Sequence, residues 1–312
     1  MDSKQVAILL AVISVATVLF AQVERTAPVS EFEAWKSQHG VSFESSFENA
    51  YREKVFLQTL AKVALHNADN FRTYDMGINQ FSAMTAEEFQ QQYLGLTLPE
   101  NFEVATDLSD DVSVGDVDWV AAGATTPIKN QGQCGSCWAF SATGSLEGLS
   151  KLAYGSLQSF SEQQLVDCSG KYGNQACNGG LMDNAFKFVK ENGIVHEDEY
   201  QYKAVKQACK NATGPFKISG FTDIKDCNTL ATGVVGRPIS VAVDATNWSA
   251  YKSGVFNNCK TSLNHGVLLV GVNDQSWKVK NSWGTSWGES GFIRLARGNT
   301  CGVCNVASYP NK

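Results

Sequence analysis

The residues richest in possible chemistry lie together in Gln131-Gly-Gln-Cys134-Gly-Ser-Cys137-Trp138-Ala-Phe140. Two thiols three positions apart admit a redox dithiol or half of a zinc site. A redox pair wants a βαβ setting, and no strand pattern precedes Gln131. The other such pair, Cys301 and Cys304, lies some 160 residues away, whereas paired zinc knuckles are normally separated by about 15–20. Neither a metal nor another cofactor is expected. A nucleophile explains more. Cys137 stands where a helical pattern begins, and the partial positive charge of a helix N-terminus favours thiolate over thiol. The chain has nine cysteines, so at least one thiol is left unpaired.

The run Cys-Gly-Ser-Cys-Trp resembles the active-site signature of papain-like cysteine proteases. His265, in Leu263-Asn264-His265-Gly266, follows Cys137 by 128 residues, and Asn281, in Lys280-Asn281-Ser282-Trp283-Gly284, follows it by 144. Both fit that family, and the resemblance is closest to its cathepsin L branch. It implies an α+β, papain-like two-lobed fold. The N-terminal lobe would be mainly helical and the C-terminal lobe an antiparallel, β-barrel-like unit, with the active-site cleft between them.

The resemblance also implies roles. His265 would take the proton of Cys137 and later protonate the leaving amine. Asn281 would fix the imidazole tautomer, and Trp283 would shield that bond from water. Gln131 would donate to the oxyanion together with the Cys137 backbone N–H. The other histidines, His39, His66 and His196, lie in the amino-terminal arm or in a polar stretch. Asn264 stands where many relatives have Asp.

The family pattern pairs Cys134 with Cys177, Cys168 with Cys209, and Cys259 with Cys301. Cys227 and Cys304 match no usual bridge; they are left as either a fourth disulfide or free thiols, with an oxidising compartment favouring the bridge. Gly179 and Gly180 resemble the segment that binds substrate backbone, with Gly180 allowing close approach of an extended peptide. The second subsite would be Leu181, Met182, Ala242, Leu263 and Val306. An all-apolar set predicts a bulky hydrophobic residue two positions before the cut (P2). Only 40 residues separate Cys137 from Cys177. That leaves no room for an occluding insertion and predicts an endopeptidase.

These residues need elements to hold them. Apolar spacing predicts helix over 30–68, Thr85–Tyr93, Cys137–Leu152, Ser161–Val166 and Gly180–Lys190. Strand patterns mark Ile239–Val243, Gly266–Val272, Trp277–Lys280 and Phe292–Arg297. Residues 95–115 read as an exposed, cleavable linker. The arm before it resembles an inhibitory propeptide with an interspersed E-R-F-N-I-N helix. Glu48, Arg52, Phe56 and Asn67 match, while Thr59 and Val63 replace the usual Asn and Ile. Gly77, Asn79 and Phe81 match the next motif, whose usual Asp is Ala83.

The expected organisation is therefore a signal peptide over 1–21, a helical inhibitory propeptide over 22–112 and a protease domain over 113–312. The apolar run from Val6 to Phe20, ending at Ala21-Gln22, is too short to span a bilayer comfortably. That predicts the secretory pathway, a lysosome or equivalent acidic vacuole or full secretion, and no stable membrane association. Residues 1–112 hold 7 Lys+Arg against 16 Asp+Glu and the remainder 18 against 15, or −9 facing +3. Acid should weaken an attraction between the two parts. No basic cluster suits nucleic acid. The resemblance implies polypeptide substrates, the chain's own arm as intramolecular inhibitor, cystatin-type inhibitors as further partners, and a monomer. A non-catalytic binding homologue would have lost the nucleophile, and Cys137 is present. A secreted inhibitor built from the arm would not need an intact protease domain.

Overall fold

The computed structural model describes residues 30–100, 102 and 108–312, so the signal peptide expected over 1–21 lies outside the described residues. The chain divides into two compact units, one ending at Leu57 and one spanning Gln58–Lys312.

In the first unit, helix α1 (Glu31–His39) is capped by Ser30, whose side chain accepts from the Glu33 amide. It ends at Gly40, whose left-handed φ of 62° lets its N–H reach back to the Lys36 and Ser37 carbonyls. The helical stretch expected over 30–68, with Ser30 and Ser46 as candidate caps, is interrupted there, and α2 (Ser46–Asn67) starts afresh. Phe56 packs against Phe32 and Trp35, with centroids 5.5 Å from each.

The second unit carries strand β1 (Tyr74–Met76) and α3 (Ala86–Tyr93), then β2 (Val117–Asp118), α4 (Cys137–Tyr154), α5 (Glu162–Cys168) and α6 (Met182–Asn192). Beyond these come β3 (Gly220–Ile224), α7 (Cys227–Gly236), β4 (Ile239–Val243), β5 (Tyr251–Phe256), β6 (His265–Val272), β7 (Ser276–Lys280), β8 (Phe292–Ala296) and β9 (Ala307–Asn311). Thr85 and Glu88 form a reciprocal capping box at the start of α3. The strand-rich half also contains a helix that apolar spacing does not announce, α7, capped by Asp226.

One sheet runs in the order β1-β5-β8-β7-β6-β4-β9-β3, with β2 on β6. It is mixed rather than wholly antiparallel, and it does not close into a barrel. β5 pairs parallel with β8, because the chain passes through β6 and β7 between them, the long crossover that a parallel pair requires. β5 meets β1 of the arm on its other side.

Helix α4 lies against this sheet through small residues. Ser141 Oγ donates to the Val267 carbonyl at 2.7 Å. A Cβ on Gly144 would come within 2.8 Å of Leu268 Cδ2, and one on Gly148 within 2.8 Å of Pro238 Cγ. Two apolar cores result. One joins α4–α6 through Trp138, Leu146, Phe186 and Val189. The other fills the sheet side with Trp248, Trp277, Trp283, Trp287 and Leu269.

Disulfides join Cys134 to Cys177, Cys168 to Cys209, Cys259 to Cys301 and Cys227 to Cys304. Cys137 is the free cysteine among the described residues.

The segment expected as an exposed linker over 95–115 is anchored near its far end. Asp110 is bound by Arg297, whose Nε donates at 2.8 Å, and by the Gly298 amide at 2.6 Å. Arg297 also donates to the Val112 carbonyl at 3.1 Å and lies 4.5 Å over the Trp277 ring. The Asp111 and Val112 amides both donate to Asn228 Oδ1. Leu108, Asp111, Ser113 and Gly115 are nevertheless exposed.

Candidate active site

The site is built where the start of α4 meets the start of β6. Gly266 makes the approach possible. A Cβ there would lie 3.2 Å from Trp138 Cα and 3.1 Å from Met182 Sδ. Its amide donates to Cys137 Sγ at 3.4 Å, and His265 is the adjacent residue on β6. His265 Nε2 lies 2.9 Å from Asn281 Oδ1, which extends from the end of β7. The other ring nitrogen, Nδ1, is buried and makes no hydrogen bond. Trp283 stacks on the imidazole, with centroids 4.7 Å apart.

Gln131 is fully buried beside this group. Its Oε1 accepts from Ser282 Oγ at 2.7 Å, and its backbone N–H donates to the Ser282 carbonyl at 2.8 Å. Its side-chain Nε2 donates to Cys134 O at 2.9 Å and to Tyr93 O, at the end of α3, at 3.0 Å.

The arm passes over all of this. Phe81 and Phe89 stand edge-on to Trp283 at 5.5 and 5.2 Å. The Gly95 amide donates to the Cys137 sulfur. Leu96 pairs with Gly180 in a parallel bridge, in which the Gly180 amide donates to Gly95 O at 2.9 Å and the Thr97 amide to Gly180 O at 3.0 Å. The Leu96 amide donates to Asn264 O. Leu181, Met182, Ala242 and Val306 share one apolar core, against which Leu263 and the arm's Leu96 also pack.

Burial sets the charges. It pushes the Cys137 thiol up, against amide donors from Gly266, Gly95 and Trp138. It lowers His265 to about 4, against the bond to Asn281. Burial therefore favours the uncharged form of both groups while the arm is docked. A thiol beside an imidazole, with the far nitrogen held by an amide oxygen, is an arrangement suited to nucleophilic acyl transfer.

Residues 114–311 match the family described as papain family cysteine protease, and residues 32–89 match the cathepsin propeptide inhibitor domain (I29). The chain belongs to the papain family of cysteine proteases. It is 44% identical over 283 residues to cathepsin L 2 of Paramecium tetraurelia, covering 88% of this chain and 90% of that protein. Against cathepsin L of Sarcophaga peregrina it is 41% identical over 312 residues, covering 90% and 92%. Among solved structures it resembles digestive procathepsin L 3 from the larval midgut of Tenebrio molitor, with a TM-score of 0.82 and 40% identity over 90% of this chain and 98% of that one. It is a cathepsin L-like cysteine peptidase that carries its propeptide.

Within this papain-family site, both substrate-segment glycines lie where the arm comes close. A Cβ on Gly180 would meet the protein's own Trp138 and Asn174, at 2.8 and 2.5 Å, and one on Gly179, at a φ of 120°, would strike the arm at Thr97 Oγ1, 2.4 Å away. Three participants escaped the sequence. Gly95 follows the capping-box helix in Tyr93-Leu-Gly95-Leu, a signal available but unused. Ser136 lies within the Cys-Gly-Ser-Cys-Trp run without a role of its own being read there, and Tyr202 had no signal, since it lies beside a polar stretch that reads as solvated surface.

Proposed function

We propose that the released enzyme is an endopeptidase in which Cys137 is the nucleophile, His265 the general base, Asn281 its orienting partner and Gln131 an oxyanion donor. The observation that carries this reading is the Asn281–His265 contact at 2.9 Å. By accepting the Nε2 proton it leaves Nδ1 unprotonated and free toward the thiol of Cys137, the free cysteine. Departure of the arm re-solvates both groups, and the proton passes from sulfur to Nδ1. The thiolate then attacks the scissile carbonyl carbon. The carbonyl π electrons move to oxygen, where the Gln131 amide and the Cys137 N–H stabilise them. Collapse expels the amine, which takes the Nδ1 proton, and leaves a thioester. Water, giving a proton back to His265, hydrolyses it to a carboxylic acid and the thiol.

Residues 22–112 act as the latent enzyme's own inhibitor in this reading. Tyr93 O occupies the Gln131 donor. What Gly95 offers the sulfur is an N–H rather than an electrophilic carbonyl carbon. Leu181, Met182, Ala242 and Val306 belong to the apolar core against which Leu263 and the arm's Leu96 pack in the latent chain, which supports a bulky hydrophobic residue at P2. An acidic vacuole or secretion suits a chain in which no helix among the described residues is long and apolar enough to cross a membrane.

Acid-treated zymogen should label stoichiometrically at Cys137 with a peptidyl epoxide and cleave library peptides with Leu or Phe far ahead of Arg at P2. Absence of labelling would sink the nucleophile assignment. Equal Arg and Leu cleavage would sink the pocket.

A further inference from the structure

Tyr202 belongs to no motif, yet it touches both halves of the site. Its hydroxyl donates to the Gln131 backbone carbonyl at 2.8 Å and lies 2.6 Å from Ser136 Oγ. A phenol carries one proton, and a carbonyl only accepts. The Ser136 hydroxyl must therefore donate to Tyr202, and the chain runs from Ser136 through Tyr202 to Gln131. Burial raises the Tyr202 phenol above its ordinary value, so the donor proton stays in place.

Ser136 is the N-cap of α4, a position where serine ordinarily spends its side chain on the helix amides. Here it makes no side-chain cap bond, because its hydroxyl is turned to Tyr202. The amides of Cys137 and Trp138 are left directed at the Cys137 sulfur. At the other end, Tyr202 completes the set of bonds fixing Gln131, whose amide and side chain are held by Ser282 and Cys134. Tyr202 is itself held. Its N–H donates to Glu197 Oε1 at 2.8 Å, and its ring stands edge-on to Phe140 at 4.9 Å.

We propose that Tyr202 is a positioning residue for peptide hydrolysis, its single hydroxyl holding Gln131 under the oxyanion and keeping Ser136 off the helix start that faces the thiolate. The inference rests on Cys137 as nucleophile and Gln131 as oxyanion donor. Tyr202 would touch neither substrate nor sulfur.

A double-mutant cycle on the mature enzyme tests it. Tyr202→Phe keeps the ring on Phe140 and should lower kcat about tenfold, with KM changed less than about twofold. In a Gln131→Ala background the same replacement should cost less than about twofold, because its partner's function is already gone. The acid limb of Cys137 alkylation by iodoacetamide should move to higher pH in Tyr202→Phe as Ser136 turns to cap the helix. Equal losses in both backgrounds, or full kcat in Tyr202→Phe, would overturn the Gln131 coupling. An unmoved acid limb would overturn the Ser136 half. Full activity in Gln131→Ala alone would instead bring down the oxyanion reading on which the inference stands.

Discussion

At Cys137 and His265 burial moves the two pKa values in opposite directions, up for the thiol and down to about 4 for the imidazole. Both shifts favour the uncharged form. The latent protein should therefore react with iodoacetamide at pH 7 at least about tenfold more slowly than the released enzyme, since the thiolate is the reactive form. Equal rates would show that the ion pair already exists under the arm. In the released enzyme, Cys137→Ser should abolish turnover, and His265→Ala should cost comparably, because the members of such a unit do not contribute additively. A Ser variant with near-normal kcat would refute the assignment. Cys137, His265 and Asn281 were legible because their types and spacing are the chemistry. Tyr202 was not, because what it does depends on two hydrogen bonds between residues 66 and 71 positions apart.

At the scale of elements, local signals read well and pairings did not. Thr85 and Glu88 announce α3 because a capping box is written within four residues. The parallel β5–β8 pair and the docking of β1 on β5 depend on partners distant in the chain, which no local pattern contains. Gly40 divides the arm helix for a local reason that apolar spacing alone overrides. One arm position carries a sharp prediction. A Cβ on Gly95 would lie 1.9 Å from the Gly135 carbonyl oxygen. Gly95→Val should thus lift the arm from the cleft, and the full-length variant should react with a peptidyl epoxide near neutral pH where the parent does not. Unchanged latency would show that the arm is held elsewhere. The Cys227–Cys304 bridge joins residues 77 apart, linking α7 to the loop before β9. Replacing both with Ala should cost about 2–4 kcal/mol of stability, read by denaturant or thermal unfolding.

For the whole molecule, the question is what acid does to the docked arm. Charge balance alone points to a gradual loss of attraction as many carboxylates protonate. At Asp75 and Asp110 that loss is moved to lower pH. A hydrogen bond from Arg72 holds Asp75 low, and at Asp110 the Arg297 and Gly298 donors outweigh burial and hold it below its ordinary range. His265 acts in the same direction but at higher pH. With the arm docked its value is about 4, whereas a solvated imidazole lies near about 6.5. Between those values the open form binds the proton and the closed form does not, so acid favours release as pH falls from about 6.5 to about 4. The effect is at most about 3 kcal/mol. In an inactive Cys137→Ser chain, susceptibility of the arm to added protease should rise through that window, and a further His265→Gln change should flatten the rise. An unaltered profile would return the trigger to the carboxylates. Asp110 has its own consequence after release. Every cut upstream of it yields a product whose new amino terminus stays tethered to Arg297, and every cut downstream strips the acid away and leaves that guanidinium without its carboxylate, held by the Asn273 carbonyl and the Trp277 ring. One zymogen can thus mature into two species. They should separate by ion exchange, and a mixture should lose activity on heating in two phases, the tethered form last.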